Sequence, residues 1–263
     1  MSARDRVGVH FTTKYEAAPT SRVRIPSRLN VIGEHTDYND GFVLPFAVDR
    51  EMWIAFRPRD DHTVHVRSES FVDEVVFDLK AITRGTGWGE YVKGAAWALA
   101  ATGRELRGWE GFLASDIPMG AGMSSSAAVC IGAAVALAVS TGFFLDAREL
   151  SEIAQQSENG WVGVESGIMD PLVMAGGKRG HAQLIDCRDL TADDIAIPPE
   201  AVFAILDTGT RRGHVGSAYN KRRMECLEAA RHFGLRSLRD LDRQTLDSAG
   251  TGLADVFHRR ARH

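Results

Sequence analysis

Residues 117–145 read IPMGAGMSSSAAVCIGAAVALAVSTGFFL and contain no charged side chain. The stretch from Ser126 to Leu145 is just long enough to span a lipid bilayer as a helix. It is, however, rich in Ala, Gly and Ser, lacks flanking Lys and Arg, and begins in a glycine- and serine-containing loop, which is atypical of membrane spans. The pattern therefore predicts a buried helix in the core of a folded domain.

The loop before this helix has the composition of a phosphate-binding loop. It runs Pro118-Met119-Gly120-Ala121-Gly122-Met123-Ser124-Ser125-Ser126. Glycines let the backbone approach a ligand, the start of a helix offers free N–H groups, and serine hydroxyls can bond phosphate oxygens or a magnesium ion. No Gly-Lys-Ser/Thr follows, so this is not a Walker A loop. The alternative is a flexible loop with a serine helix cap.

The composition is that of an ordinary globular protein, with 44% hydrophobic and 25% charged residues. It excludes disordered, collagen-like and disulfide-scaffold classes. A net charge of −4 without a Lys/Arg-rich tract argues against nucleic-acid binding. Cys130, Cys187 and Cys226 are far apart and form no CxxC, so we expect reduced thiols and a cytoplasmic protein. The charged residues 1–9 do not resemble a signal peptide.

Apolar runs and turn residues predict strands in the first third of the chain and helices later, which indicates an α+β fold. The predicted strands are Val23–Ile25, Leu29–Ile32, Phe42–Leu44, Met52–Phe56, His62–Arg67, Val75–Leu79, Gly111–Ala114, Ala182–Ile185 and Val202–Leu206. Helical spacing covers Trp88–Thr102 and Ser217–Phe233, and Asp146 to Glu149 resembles a capping box that opens another helix. Gly177 marks a boundary between domains at residues 1–177 and 178–263.

Three polar features could carry chemistry. Glu34, His35 and Asp37 follow an apolar strand and can grip sugar hydroxyls or a metal, or simply form a solvated turn. Glu158 falls on the apolar face of its predicted helix, where a carboxylate needs a cation unless the face widens and exposes it. Asp170 precedes Pro171 and either caps a short helix or serves as a general base.

Taken together, these segments resemble the galactokinases, which belong to the GHMP small-molecule kinases. Residues 28–45, RLNVIGEHTDYNDGFVLP, are similar to the galactokinase signature. Pro118–Ser126 resembles the second motif of the superfamily, and Glu158–Asp170 resembles the segment with the magnesium-ligand Glu and the catalytic Asp. The resemblance covers nearly the whole chain in family order.

The resemblance implies phosphorylation of the C1 hydroxyl of galactose by ATP with Mg²⁺, giving galactose 1-phosphate and ADP. Asp170 would accept the proton, with Arg28 beside it. The implied galactose-binding residues are Glu34, His35, Asp37, Gly167 and Tyr219. The implied ATP-binding residues are Gly120, Gly122, Ser124 and Ser125. Ser126 and Glu158 would hold Mg²⁺.

The implied fold is a two-domain α+β GHMP kinase fold, with an N-terminal domain like ribosomal protein S5 and an incomplete ferredoxin-like C-terminal domain. We expect a truncated chain, because no third, glycine-rich motif follows Asp170. Ser27, Ser166 and Pro171 depart from the residues common in the family. The alternatives are a GHMP kinase for another sugar, a non-catalytic galactose- and ATP-binding sensor, or an inactive fragment. No nucleic-acid or membrane partner is expected, and monomer and homodimer stay open.

Overall fold

The computed structural model describes residues 1–206, 217–249 and 252–263. Its larger sheet has five strands: β1 (Ser21–Asn30), β3 (Pro45–Pro58), β4 (Thr63–Ser68), β5 (Val75–Asp78) and β6 (Trp109–Ser115). Their order across the sheet is β1-β3-β6-β4-β5. All neighbours are antiparallel except β4 and β6, which run parallel and are joined through β5 and helix α2 (Gly89–Ala100). The predicted α+β class is confirmed.

Helices cover both faces of this sheet. On one face, α1 (Ala3–Tyr15) inserts Val7 and Phe11 against Ala55 and Phe112. On the other face lie α2, α3 (Ser125–Thr141) and α4 (Ala147–Gln156). The expected capping box is present at the start of α4. The side chain of Asp146 accepts a hydrogen bond from the backbone N–H of Glu149, and the side chain of Glu149 accepts one from the backbone N–H of Asp146.

Helix α3 is the buried core helix that the uncharged stretch predicts. Leu137 on this helix is fully buried, together with Ile25 and Ile54 of the sheet. A Cβ at Gly132 would lie 2.5 Å from the Cδ1 of Ile54, so glycine permits the close approach of α3 to the sheet. Within the described residues, no helix is long and apolar enough to cross a membrane.

A smaller sheet has the strand order β2-β7-β8, formed by β2 (Phe42–Val43), β7 (His181–Asp186) and β8 (Thr191–Ala196). Helix α5 (Met169–Gly176) packs against it through Leu172 and Val173, which meet Val43 and Ile185. The described chain continues with α6 (Ser217–His232), α7 (Arg243–Ala249) and α8 (Asp255–Arg262). The domain boundary at residue 177 stays a prediction. In the sequence β2 precedes residue 177 and β7 and β8 follow it, so the smaller sheet combines strands from both sides of that boundary.

The structure contradicts one predicted strand. Residues 202–206 have no strand partner among the described residues, and Val202 and Leu206 are 92% and 87% exposed. An apolar pentapeptide of high β propensity becomes a strand only when a neighbouring strand pairs with its backbone. The predicted helices and the remaining strands are present, with bounds that differ by a few residues.

Candidate active site

One cavity of about 360 Å³ gathers every residue that the sequence analysis assigned to the site. It lies between the start of α3, the end of β1, the loop after β1, and the start of α5. The assigned residues in its wall are Arg28, Glu34, His35, Asp37, Gly120, Gly122, Ser124, Ser125, Ser126, Glu158, Gly167, Asp170 and Tyr219. Their individual roles stay predictions, but their convergence from distant parts of the chain makes a single site.

The loop before α3 has the backbone conformation that its composition suggests. Gly120 and Gly122 adopt φ values of +72° and +75°, and Ser124 adopts +56°, which is uncommon for a residue with a side chain. The buried hydroxyl of Ser27 donates to the carbonyl of Met123 at 2.7 Å and fixes the loop on β1. Helix α3 then begins at Ser125, so its free N–H groups and positive dipole end lie at the cavity wall.

Arg28 and Asp170 form a two-pronged ion pair at the centre of the cavity. The Nε and Nη2 atoms of Arg28 donate to the two carboxylate oxygens of Asp170 at 2.6 and 2.7 Å, and Nη1 donates to the carbonyl of Gly122 at 2.8 Å. Burial alone would lower the pKa of Arg28, but the carboxylate of Asp170 raises it. The hydroxyl of Ser124 also donates to Asp170. Asp170 is therefore not a helix cap: Ile168 holds the capping position of α5, and no side chain bonds there.

Glu158 is buried, with 4% of its surface exposed, and it lies in a π-helical turn, Ser157–Val162, that follows α4. The hydroxyl of Ser166 donates to its Oε2 at 2.8 Å, and the hydroxyl of Ser126 bonds it too. Burial raises the pKa of Glu158, and within the described residues no cation forms an ion pair with it. A buried carboxylate that receives only hydroxyl bonds is suited to a cation.

The donor set at Glu158 fits magnesium in particular. Among the described residues there is no group of three or more His, Cys, Asp and Glu side chains that could enclose a metal. Mg²⁺ is commonly held by one or two protein oxygens together with phosphate oxygens and water, and does not need such a cage. The Glu158 carboxylate and the Ser126 hydroxyl, next to the phosphate-type loop, match that pattern.

Asp37 lies at the other end of the cavity, against the backbone of Gly167. A Cβ at Gly167 would lie 1.6 Å from the Oδ2 of Asp37, so no other residue fits at this position without displacing the carboxylate. Burial, with the nearby charge of Asp170, raises the pKa of Asp37 to about 6. A partly buried carboxylate at this point is an acceptor for ligand hydroxyls.

Three aromatic side chains border Asp37. The Tyr38 hydroxyl and the Nδ1 of His35 are 2.9 Å apart, and the Tyr219 ring lies 5.8 Å from His35 and 5.4 Å from Tyr38. Burial and the charge of Arg222 lower the pKa of His35, so the ring is neutral near pH 7. This end of the cavity therefore offers carboxylate, imidazole and phenol groups to a small polar ligand.

The cavity also has an apolar end, lined by Phe71, Trp88 and Tyr91, which are not among the predicted site residues. The Phe71 and Trp88 rings are stacked, with centroids 5.6 Å apart and planes at 10°. These residues come from a loop and from the start of α2, and no local motif joins them. The sequence pattern placed Trp88 only in a predicted helix. The signal available in the sequence was that two aromatic residues, Phe71 and Trp88, stand beside predicted elements.

The fold and this cavity define a GHMP kinase: residues 90–178 match the family model described as the GHMP kinases N terminal domain. Residues 10–58 match the galactokinase galactose-binding signature. The chain belongs to the galactokinase family, because it is 43% identical over 260 residues to a galactokinase of Chloroflexus aurantiacus, covering 96% of this chain and 67% of that protein. A galactokinase of Roseiflexus sp. is 42% identical over 259 residues, covering 96% of this chain and 66% of that protein.

Solved structures agree with this assignment. A Lactococcus lactis galactokinase complexed with galactose is similar over 100% of this chain and 71% of its own, with a TM-score of 0.89 and 28% identity. A Methanococcus jannaschii mevalonate kinase, 19% identical with a TM-score of 0.56 over 68% of this chain and 56% of its own, shares the fold alone. The expected GHMP kinase fold is thus confirmed. The chain spans about two thirds of the length of these curated galactokinases.

Proposed function

We propose that this protein phosphorylates galactose at its C1 hydroxyl with ATP, giving galactose 1-phosphate and ADP. The observation that carries the proposal is the Arg28–Asp170 pair, which stands between a phosphate-type loop and a group of hydroxyl-binding side chains in one cavity. Phosphoryl transfer needs in-line positioning and neutralisation of charge more than covalent catalysis, and this arrangement supplies both.

At the polar end, galactose would be held by its hydroxyls. The Asp37 and Glu34 carboxylates would accept from them, neutral His35 offers a ring nitrogen, and the Tyr219 hydroxyl is hydrogen-bonded to the backbone of Gly167. The relative solved with galactose, at 28% identity, supports the choice of sugar. Because the partly buried Asp37 has no ion-pair partner within the described residues, its lost hydration is best replaced by ligand hydroxyls.

At the centre, Asp170 would orient the C1 hydroxyl and accept its proton. Both carboxylate oxygens already receive bonds from Arg28, so Asp170 acts chiefly by fixing the direction of attack. The guanidinium of Arg28 lies where negative charge develops during transfer and stabilises it. The hydroxyl of Ser124, which donates to Asp170, would be the side-chain donor available to phosphate oxygens when ATP binds.

At the loop end, the backbone between Gly120 and Gly122 and the first N–H groups of α3 would receive the phosphates of ATP. Ser126 and Glu158 would hold Mg²⁺. When bound, that ion neutralises the phosphate charge that Arg28 does not reach. The base of ATP would occupy the apolar end between Phe71 and Tyr91.

We place the reaction in the cytoplasm, in keeping with three cysteines that are free and buried. The test is formation of sugar 1-phosphate by the purified chain with ATP, Mg²⁺ and a panel of sugars that includes galactose. We expect product, and a preference for galactose over galacturonate and N-acetylgalactosamine. Preference for another sugar would contradict the assigned substrate.

The matched variants are Asp170→Asn, which keeps the shape of the side chain, and Asp73→Asn at an exposed position. We expect Asp170→Asn to abolish turnover while galactose still binds, and Asp73→Asn to leave both unchanged. Undiminished turnover in Asp170→Asn would refute the mechanism. Binding of galactose and ATP by the folded wild-type chain without any product would favour the sensor alternative.

A further inference from the structure

Ser166 makes a contact that none of the proposed catalytic roles uses. Its hydroxyl lies 2.8 Å from the Oε2 of Glu158 and 3.1 Å from the Oδ1 of Asn159. A serine hydroxyl carries one proton, and the shorter contact is to a carboxylate, the stronger acceptor. The proton of Ser166 is therefore directed to Glu158.

The backbone of Ser166 is anchored to the same helical segment that carries Glu158. Its carbonyl accepts from the Nε2 of Gln155 at 3.3 Å and from the Nδ2 of Asn159 at 3.2 Å. These two amides project from the end of α4 and from the π-helical turn, on either side of Glu158 in sequence. The backbone of Ser166 is thus held by two side-chain amides of the segment that carries Glu158, which keeps the Ser166 hydroxyl within reach of the Glu158 carboxylate.

Glu158 has a second hydroxyl neighbour, Ser126, which lines the cavity at the start of α3. Under the proposed function Ser126 faces Mg²⁺, and its hydroxyl proton can no longer serve Glu158 in the same way. Ser166 then remains as the hydroxyl that fixes one carboxylate oxygen. We propose that Ser166 is a positioning residue: its hydrogen bond to Oε2 of Glu158 turns the other carboxylate oxygen toward the metal. This inference rests on the proposed function.

The test measures metal binding directly, with Mn²⁺ as the probe. Free Mn²⁺ is quantified by electron paramagnetic resonance during titration of the full chain in the presence of ADP. Loss of a residue that orients a metal ligand lowers metal affinity by roughly ten- to a hundred-fold. We expect Ser166→Ala to weaken Mn²⁺ binding by about ten-fold or more, and Ser166→Cys, which keeps the size but donates weakly, to fall between Ala and wild type.

Ser157→Ala is the matched control. Ser157 is fully buried, adjoins Glu158 in the same π-helical turn, and bonds the Tyr91 carbonyl at 3.3 Å, not Glu158. It should leave Mn²⁺ affinity within two-fold of wild type. Galactose affinity, measured by calorimetry, should change by less than two-fold in Ser166→Ala, although the neighbouring Gly167 lies at the sugar end of the cavity.

The outcomes separate this inference from the proposed function. Unchanged Mn²⁺ affinity in Ser166→Ala and Ser166→Cys, or an equal loss in Ser157→Ala, would overturn the positioning role even if the wild type makes product. Conversely, a selective loss in Ser166→Ala would support it even if the wild type binds Mn²⁺ and ADP without turnover. A wild-type chain that binds no Mn²⁺ with ADP present would overturn it as well. Thermal unfolding of each variant, with a midpoint near that of wild type, confirms that the variants are folded.

Discussion

Asp37 places a carboxylate in a partly buried position that favours its neutral form. Burial, with the nearby charge of Asp170, raises its pKa from 3.8 to about 6. A raised pKa in an acid means that ionisation destabilises the folded state relative to the unfolded one. We therefore predict that Asp37→Asn, which keeps the shape and removes the charge, raises the free energy of unfolding at neutral pH.

The magnitude follows from the pKa difference. Each pKa unit is worth about 1.4 kcal/mol, so the gain should approach about 3 kcal/mol above pH 7. At pH 5 the folded-state carboxyl is already mostly protonated, and the gain should be roughly half as large. It should vanish below the unfolded pKa of 3.8, because Asp37 is then neutral in both states.

The assay is urea unfolding of wild type and Asp37→Asn at pH 7.5 and pH 5, without galactose, with Asp73→Asn as the exposed control. Calorimetry with galactose completes the comparison. We expect the variant to be more stable and to bind galactose at least ten-fold more weakly, a trade of stability for binding that is typical of functional residues. A gain that does not grow between pH 5 and pH 7.5, or that Asp73→Asn reproduces, would refute the reasoning.

Two further predictions concern space at the site and exposed apolar surface. Gly167→Ala should lower galactose affinity, measured by calorimetry, at least ten-fold, because the new Cβ would lie 1.6 Å from the Oδ2 of Asp37. Gly176→Ala is the control: the nearest atom to its Cβ would be 3.5 Å away, so galactose affinity should stay unchanged. Equal effects of the two substitutions would contradict the steric argument. Leu206→Asp should slow aggregation of the chain, followed by light scattering, at least two-fold more than Phe144→Asp. Both side chains are highly exposed, at 87% and 84%, but only Leu206 ends an apolar run of high β propensity. Similar scattering for the two variants would count against a role of that run.

The parts of the site that could be predicted from the sequence are those encoded by short, contiguous motifs. The loop before α3 carries its own conformational requirement, since glycines at 120 and 122 permit the positive φ angles that the structure adopts. The convergence of Arg28 and Asp170 was implied by family resemblance, not by spacing, because the two residues lie on distant segments. Asp170 shows the limit of local reasoning: Asp before Pro is typical of a helix start, yet a distant arginine determines where the carboxylate points.

Other features depended on tertiary context or on a signal that was overlooked. Helix α1 was not predicted, although Ala3, Val7 and Phe11 have helical spacing and Ser2 and Asp5 form a capping box. The π-helical turn at Glu158, Ser157–Val162, has no sequence pattern of its own. The strand expected at residues 202–206 was wrong because β structure requires a partner that propensity cannot supply.

The order of strands in the larger sheet has a consequence for how the chain folds as it is synthesised. Strands β1 and β3 can pair as soon as they emerge from the ribosome, and so can β4 and β5, because each pair is close in sequence. The two ribbons are not neighbours, however: β6 lies between them and is translated last. Until Trp109–Ser115 emerges, both ribbons expose an unpaired edge. The pairing of β6 with β3 on one side and with β4 on the other is therefore the long-range step of the sheet, and the growing chain is most open to association with other chains just before β6 emerges.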